Sequence, residues 1–189
     1  LYHSFIEKAA DFLVSYRDEQ TGLPLPSYDL WEERRGILSF TTATVYGGLM
    51  AAANISDIFY HTEKSTLYRK TAAQIKKAID QYLYSEKHER FLRMIYPKKD
   101  GGYEIDATID ASLYGMFAFG VYEPTDIKIQ NTMKAIEESL WVKTNIGGIA
   151  RYEHDQYQRV GNDDAIPGNP WIICTMWLAQ YYVSTAKSV

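Results

Sequence analysis

The alternation of long and short connections between six apolar-periodic segments most constrains how this 189-residue chain can fold. Hydrophobic residues recur at helical spacing in each segment. A first helix is expected over residues 2–18, with Tyr2, Ile6, Ala9, Leu13 and Tyr16 on one face. The second, over 40–55, runs through Phe40, Ala43, Gly47, Met50 and Ala53, and the third, over 63–84, through Leu67, Thr71, Ile75, Ile79 and Tyr82. The fourth, over 107–119, carries Ile109, Leu113, Met116 and Phe117. The fifth, over 125–141, starts at Pro124-Thr125 and carries Ile129, Met133, Ile136 and Leu140. The sixth opens at Asn169-Pro170, a capping residue followed by proline in the first helical position. Only Phe91 to Tyr96 reads as strand, one arm of a small hairpin turning at Asp100-Gly101-Gly102.

The connections over 19–36, 85–106 and 142–168 are long, aromatic and charged, whereas those near 56–62 and 120–124 are short. If successive helices run antiparallel, all three long connections emerge at one end. Loops of that length are uncommon in compact domains and usually functional. The second and fourth helices are rich in small residues (Ala43, Gly47, Gly48, then Ala107, Ala111, Ser112, Gly115), which suits a crowded inner layer. The third and fifth keep Lys and Glu on one side, as outer helices do. The expected fold is all-α, an α/α toroid of three helical hairpins with long loops at one end. A plain helical bundle is the competing architecture.

Charge and composition exclude several classes. Lys+Arg 20 against Asp+Glu 24 leaves a net charge of −4, and without a polybasic run no nucleic-acid partner is expected. One cysteine, Cys174, gives neither a disulfide framework nor a Cys-rich zinc site and reads as a core residue. His3, His61, His88 and His154 are scattered, so no metal is expected, and His154 reads as a solvated loop residue. Gly101-Gly102 and Gly147-Gly148 lack the pattern of a phosphate loop and read as turns, and no cofactor is expected. No apolar run reaches membrane-spanning length and no leader pattern opens the chain, so a cytoplasmic setting without a membrane partner is expected. The 16 tyrosines and 4 tryptophans offer flat amphipathic surfaces to a ligand.

The first long connection concentrates chemistry. Tyr28-Asp29-Leu30-Trp31-Glu32-Glu33-Arg34-Arg35-Gly36 sets three carboxylates, an indole and two guanidinium groups side by side, ahead of Phe40-Thr41-Thr42-Ala43. A carboxylate beside an indole loses solvation and becomes a general acid near neutral pH, while a neighbouring arginine pulls the other way. Spacing alone does not assign which glutamate is protonated. The other reading is an acidic helix start, with Glu32 and Glu33 on the helix dipole and paired with Arg34 and Arg35.

This segment resembles the general-acid region of the glucoamylase family, glycoside hydrolase family 15. A second stretch shares the likeness: Gly147-Gly148-Ile149-Ala150-Arg151-Tyr152-Glu153-His154-Asp155-Gln156-Tyr157, followed by Gly168-Asn169-Pro170-Trp171-Ile172-Ile173-Cys174-Thr175. The resemblance is to prokaryotic glucoamylases and their glucodextranase and trehalase relatives, and it implies about half of an (α/α)6 barrel, with residues 1–189 one partial catalytic domain. It implies Glu32 as the general acid and Glu33 as a sugar-hydroxyl contact in the leaving-group subsite. It further implies Trp31 as an aromatic wall that desolvates Glu32, Arg151 as a ligand of glucose hydroxyls with Tyr152 and Asp155 in weaker roles, and Trp171 as a pocket aromatic. The implied partner is an α-glucan, dextran or other α-glucoside.

The sequence departs from the family pattern in two places. Inverting hydrolysis needs a second carboxylate about 6.5–9.5 Å from the acid. In the family that base follows the helix opened by Asn-Pro-Trp, and it is therefore expected beyond Val189. Glu104, Glu123 and Glu153 are the available stand-ins, and none lies in a matching motif. The family's early Arg-Asp sugar clamp has no counterpart either, since Arg17-Asp18 reads as a helix terminus. The start at Leu1 without Met fits a piece of a longer protein, so these residues alone are expected to be inactive and to self-associate through an exposed apolar edge. The alternative is a non-catalytic carbohydrate-binding or regulatory module of the same fold.

Overall fold

A computed structural model describes residues 1–161 and 165–186. The apolar periodicity makes helices where it is sustained. On α5 (Ile127–Leu140) the residues Ile129, Met133, Ile136 and Leu140 are all buried, and Asp126 caps the start by accepting the Lys128 amide at 2.8 Å. On α3 (Thr62–Ala78), extended by a π-helical turn over Ile79–Leu83, the buried stripe is Tyr68, Thr71, Ala72, Ile75 and Ile79, while Leu67 faces solvent. α2 (Ser39–Ile58) packs along α3 and buries Leu49, Ala52 and Ala53.

Three helical expectations need correction. The first helix is split into a π-helical turn over Tyr2–Ile6 and α1 (Glu7–Ser15), and the wider turn shifts the buried face by one residue. Ala10 is buried where Ala9 was expected, and Tyr16 is exposed. The fourth helix shrinks to a 3-10 turn over Ala111–Tyr114 and α4 (Gly115–Ala118). Its first expected residues are extended because Asp110 pairs with Tyr152 across a β-bridge and the Ala111 amide donates to the Arg151 carbonyl at 2.8 Å. The sixth, α6 (Ile172–Thr185), begins after Pro170-Trp171, which are extended.

The helix-rich expectation holds, with short strands added to it, most of them in the long connections. β1 (Ser27–Tyr28), β2 (Arg35–Leu38), β5 (Met94–Pro97) and β6 (Tyr103–Asp106) form one antiparallel sheet in the order β1-β2-β5-β6. β5 and β6 are the expected hairpin turning at Asp100-Gly101-Gly102. Phe91 belongs to a different pair, β3 (Tyr84–Ser85) with β4 (Arg90–Phe91). β7 (Ile149–Ala150) pairs with β8 (Pro170–Trp171). The first two long connections thus share a sheet, and the third is tied to the segment ahead of α4. Just ahead of β5 the buried Arg93 side chain is ion-paired with Asp106 at the end of β6, and the Arg93 carbonyl accepts the first amide of α2.

Arg17 and Asp18 lie just past α1, where the Asp18 carboxylate accepts the Thr21 amide and hydroxyl and so closes a turn. Among the described residues no helix is long and apolar enough to cross a membrane. α6 exposes Ile172, Ile173, Met176 and Val183 along one side, and the first helical segment exposes Phe5 in its π-helical turn and Phe12 on α1.

Small residues on α2 do permit close approach. A Cβ at Gly47 would lie 3.1 Å from the Cβ and carbonyl oxygen of Phe119, whereas one at Gly48 would rest 3.6 Å from a Leu13 methyl. Gly47→Ala should therefore cost about 1–3 kcal/mol by overpacking against backbone. Gly48→Ala should be neutral or stabilise by about 0.5–1 kcal/mol through helix propensity. Urea denaturation of the two variants checks this opposition.

Candidate active site

The chemistry-bearing segment is the tip of a β-hairpin, not a helix start. β1 and β2 pair Tyr28 with Arg35, so residues 29–34 form the loop between them. Asp29 shapes that loop: its buried carboxylate accepts the Glu33 amide at 2.8 Å, its amide donates to the Arg34 carbonyl, and its carbonyl accepts the Glu32 amide. Glu32 takes a left-handed backbone, φ 59°, and its side chain is exposed. The indole beside it therefore does not strip it of water in this structure. No hydrogen bond or ion pair engages the Glu32 carboxylate among the described residues.

Glu33 is also exposed, but it has the partners that Glu32 lacks. Arg151 Nη2 donates to its Oε1 at 2.9 Å, the Tyr152 hydroxyl donates to Oε2, and Arg34 pairs with Oε2 at 3.1 Å. Partial burial works to raise its pKa, but the Tyr152 and Arg151 bonds outweigh it and hold the carboxyl below its usual range. Arg151 is 3% exposed and also binds Asp155 through two bonds of 2.7 Å. Burial works to lower the guanidinium, and the Asp155 bonds and charge more than offset it, so the group stays protonated. The Arg151 Cζ lies 4.8–5.3 Å from the ring centres of Trp31, Tyr152, Tyr157 and Trp171. Burial, reinforced by the bond to Glu33, pushes the Tyr152 phenol up to about 12.

These groups border an open cleft of about 730 Å³. Leu30, Trp31, Glu32 and Glu33 line it from the hairpin tip, Arg151, Tyr157 and Trp171 from the third connection, and Ile173 and Trp177 from α6. Six of the seven residues singled out in sequence (Trp31, Glu33, Arg151, Tyr152, Asp155 and Trp171) are joined directly by these bonds and ring contacts, and Glu32 stands on the rim. Tyr152 and Asp155 are buried behind Arg151, not on the cleft surface. Trp171 is a half-buried cleft residue on β8 and not part of a helix.

Sequence reasoning missed Asp110, Tyr157 and Trp177. Asp110 accepts the Trp31 indole N–H at 3.0 Å and caps the following turn through the Ser112 amide at 2.8 Å. The Asp110-Ala111-Ser112 stretch ahead of small helical residues was a legible capping signal. Tyr157 stands at the end of the quoted motif, and Trp177 lies among apolar residues of the last helix, where nothing in the sequence separates it from a packing residue. The stand-in bases are elsewhere: Glu153 is committed to the Ile109 amide at 2.7 Å, Glu104 lies exposed on β6, and Glu123 is in the short connection before α5. His154 is exposed and Cys174 is buried. No group of three or more metal-ligating side chains occurs among the described residues.

A cleft lined by a free carboxylate, an arginine-held carboxylate and several tryptophans has the chemistry of a carbohydrate-active site. Residues 6–189 match the profile of glycosyl hydrolases family 15, and the chain belongs to that family. An uncharacterized glycosyl hydrolase of Methanocaldococcus jannaschii is 35% identical over 182 residues, 96% of this chain and 26% of that protein. The glucoamylase of Clostridium sp. (strain G0005) is 26% identical across 99% of this chain and 29% of its own length. The crystal structure of a bacterial glucoamylase complexed with acarbose superposes with a TM-score of 0.80 at 25% identity, covering 99% of this chain and 30% of that one. The helix-rich architecture fits the α/α toroid of these relatives, and the chain spans between a quarter and a third of their length.

Asp155 is held below its usual pKa because the Arg151 bonds outweigh burial. A carboxylate depressed in the folded state stabilises above its unfolded value of about 3.9, and that contribution fades as pH falls through the lower folded value. Asp155→Asn should cost about 3–5 kcal/mol near neutral pH by leaving Arg151 under-compensated. Thermal melts should show the gap from wild type narrowing below about pH 4.

Proposed function

We propose that this chain forms the acid-bearing part of the active site of an inverting, exo-acting α-glucoside hydrolase of glucoamylase type, about half of an (α/α)6 barrel. The observation that carries the reading is the contrast between adjacent glutamates. Glu33 is locked to Arg151 and Tyr152 and held ionised, so it suits a hydroxyl-binding role. Glu32, one residue earlier, stands unengaged at the cleft rim beside Trp31, free to protonate a glycosidic oxygen. A sugar ring seated on Trp31 and Trp171 would exclude water from Glu32, supplying the desolvation that the open cleft lacks. Arg151 presents the remaining donors to sugar hydroxyls, with Tyr152 and Asp155 fixing its orientation.

The base is the missing partner. Among the described residues the carboxylates lining the cleft are Glu32 and Glu33, adjacent in sequence, and Glu33 is consumed by its ion pairs. Inversion needs a carboxylate across the substrate. In this reading residues 1–189 bind an α-glucoside, an α-glucan or a dextran end without turnover. The apolar sides of α6 and α1 would bring copies of the isolated chain together.

The test is glucose release from maltose, isomaltose, dextran and trehalose by the full-length gene product, with the anomer followed by proton NMR. Release of β-glucose, reduced about 10²–10⁴-fold by Glu32→Gln, is expected. Folded full-length protein that binds these sugars but releases no glucose would instead mark a non-catalytic carbohydrate-binding module. Turnover by residues 1–189 alone would overturn the missing-base reading.

A further inference from the structure

Asp110 is a buried carboxylate beside the cleft (1% exposed), and nothing in the proposed reaction uses it. It lies on neither the hairpin nor the third connection, yet it holds both. Its Oδ2 accepts the Trp31 indole N–H at 3.0 Å and its Oδ1 accepts the Ser112 amide at 2.8 Å. Its backbone pairs with Tyr152, and its neighbours complete the clamp: the Ala111 amide donates to the Arg151 carbonyl at 2.8 Å and the Glu153 amide to the Ile109 carbonyl at 3.1 Å. The Glu153 carboxylate returns to the Ile109 amide. One short extended segment therefore grips the stretch that carries Arg151 through its backbone, and the indole at the hairpin tip through a single side chain.

We propose that Asp110 is a positioning residue that sets the Trp31 indole against Arg151 across the cleft, so that the two surfaces meeting a sugar are held in one register. The location is costly for a carboxylate, and burial raises its pKa despite the Ser112 and Trp31 bonds. An apolar residue would fill the same space at less expense but would leave the indole N–H without an acceptor. A hydrogen bond to a buried carboxylate fixes the indole's rotation as well as its depth, which ring packing against Trp171 and Trp177, at centroid distances of 6.3 and 6.1 Å, does not. The effect on sugar binding rests on the function proposed above; the effect on Trp31 and Arg151 does not.

Asp110→Asn is the diagnostic variant, because the amide oxygen stays on Ser112 and the NH2 then opposes the indole N–H. In 15N NMR of residues 1–189, hydrogen exchange of the Trp31 indole should accelerate at least tenfold and the Arg151 Nε–H resonance should move, while the Trp141 indole is unchanged. Maltose affinity should fall about tenfold. Trp31→Phe, which removes the donor and leaves the Ser112 bond intact, should weaken maltose binding and shift Arg151 similarly. If Asp110 acts through Trp31, the double variant should be no weaker than either single one. Unchanged Trp31 exchange, an unmoved Arg151 resonance in both variants, or multiplicative losses in the double variant would overturn the proposal. Wild-type chain that binds no maltose would refute the glucoside reading, and the two NMR signals would still decide the positioning role. Should Asp110→Asn not fold, the Arg151 resonance in Trp31→Phe decides it.

Discussion

The Arg151 guanidinium is the interaction on which the rest of the cleft depends. A buried cation is tolerable only when its charge and its N–H groups are matched. Asp155, four residues on, supplies the local match, and Glu33 supplies the second from a hairpin 118 positions away in sequence. The aromatic rings around Arg151 exclude water while offering their negative faces. Satisfying this one charge therefore fixes the third connection internally, binds it to the first, and orients two tryptophans.

The same economy runs through the scaffold. Each long connection is laddered to another segment: the first to the second through β2 on β5, and the third to the stretch ahead of α4 through the Asp110–Tyr152 bridge. The helices provide the packed body, and these short ladders hold the functional loops in register where side-chain packing alone would leave them adjustable. Arg93 and Asp106 extend that stitching to the head of α2, whose first amide donates to the Arg93 carbonyl.

Much of this was legible in the sequence where the determining forces are local. The four expected apolar positions of α5 are all buried, and the β5–β6 turn falls where two glycines follow an aspartate. The two motifs named the residues that converge on Arg151. What escaped was decided by partners distant in sequence. Residues 107–110 have helical periodicity, but their backbone is claimed by 151–153. Arg35–Leu38 reads as the approach to a helix and becomes a strand because β5 offers it a ladder. The π-helical turn at Tyr2–Ile6 displaced the buried face of α1 by one position, a shift that a fixed 3.6-residue period does not represent. Asp110 escaped because its indole partner lies 79 residues earlier.

Glu32 carries a left-handed backbone that glycine or asparagine adopts more readily. The hairpin tip would accept either residue with less conformational cost, so the glutamate is held there against the turn's own preference. Evolution toward thermal robustness alone would therefore erode this position early and silently, leaving a sound fold with an empty rim. A paralogue that had drifted in this way would be recognised by a glycine or asparagine after the tryptophan, in a hairpin otherwise unaltered.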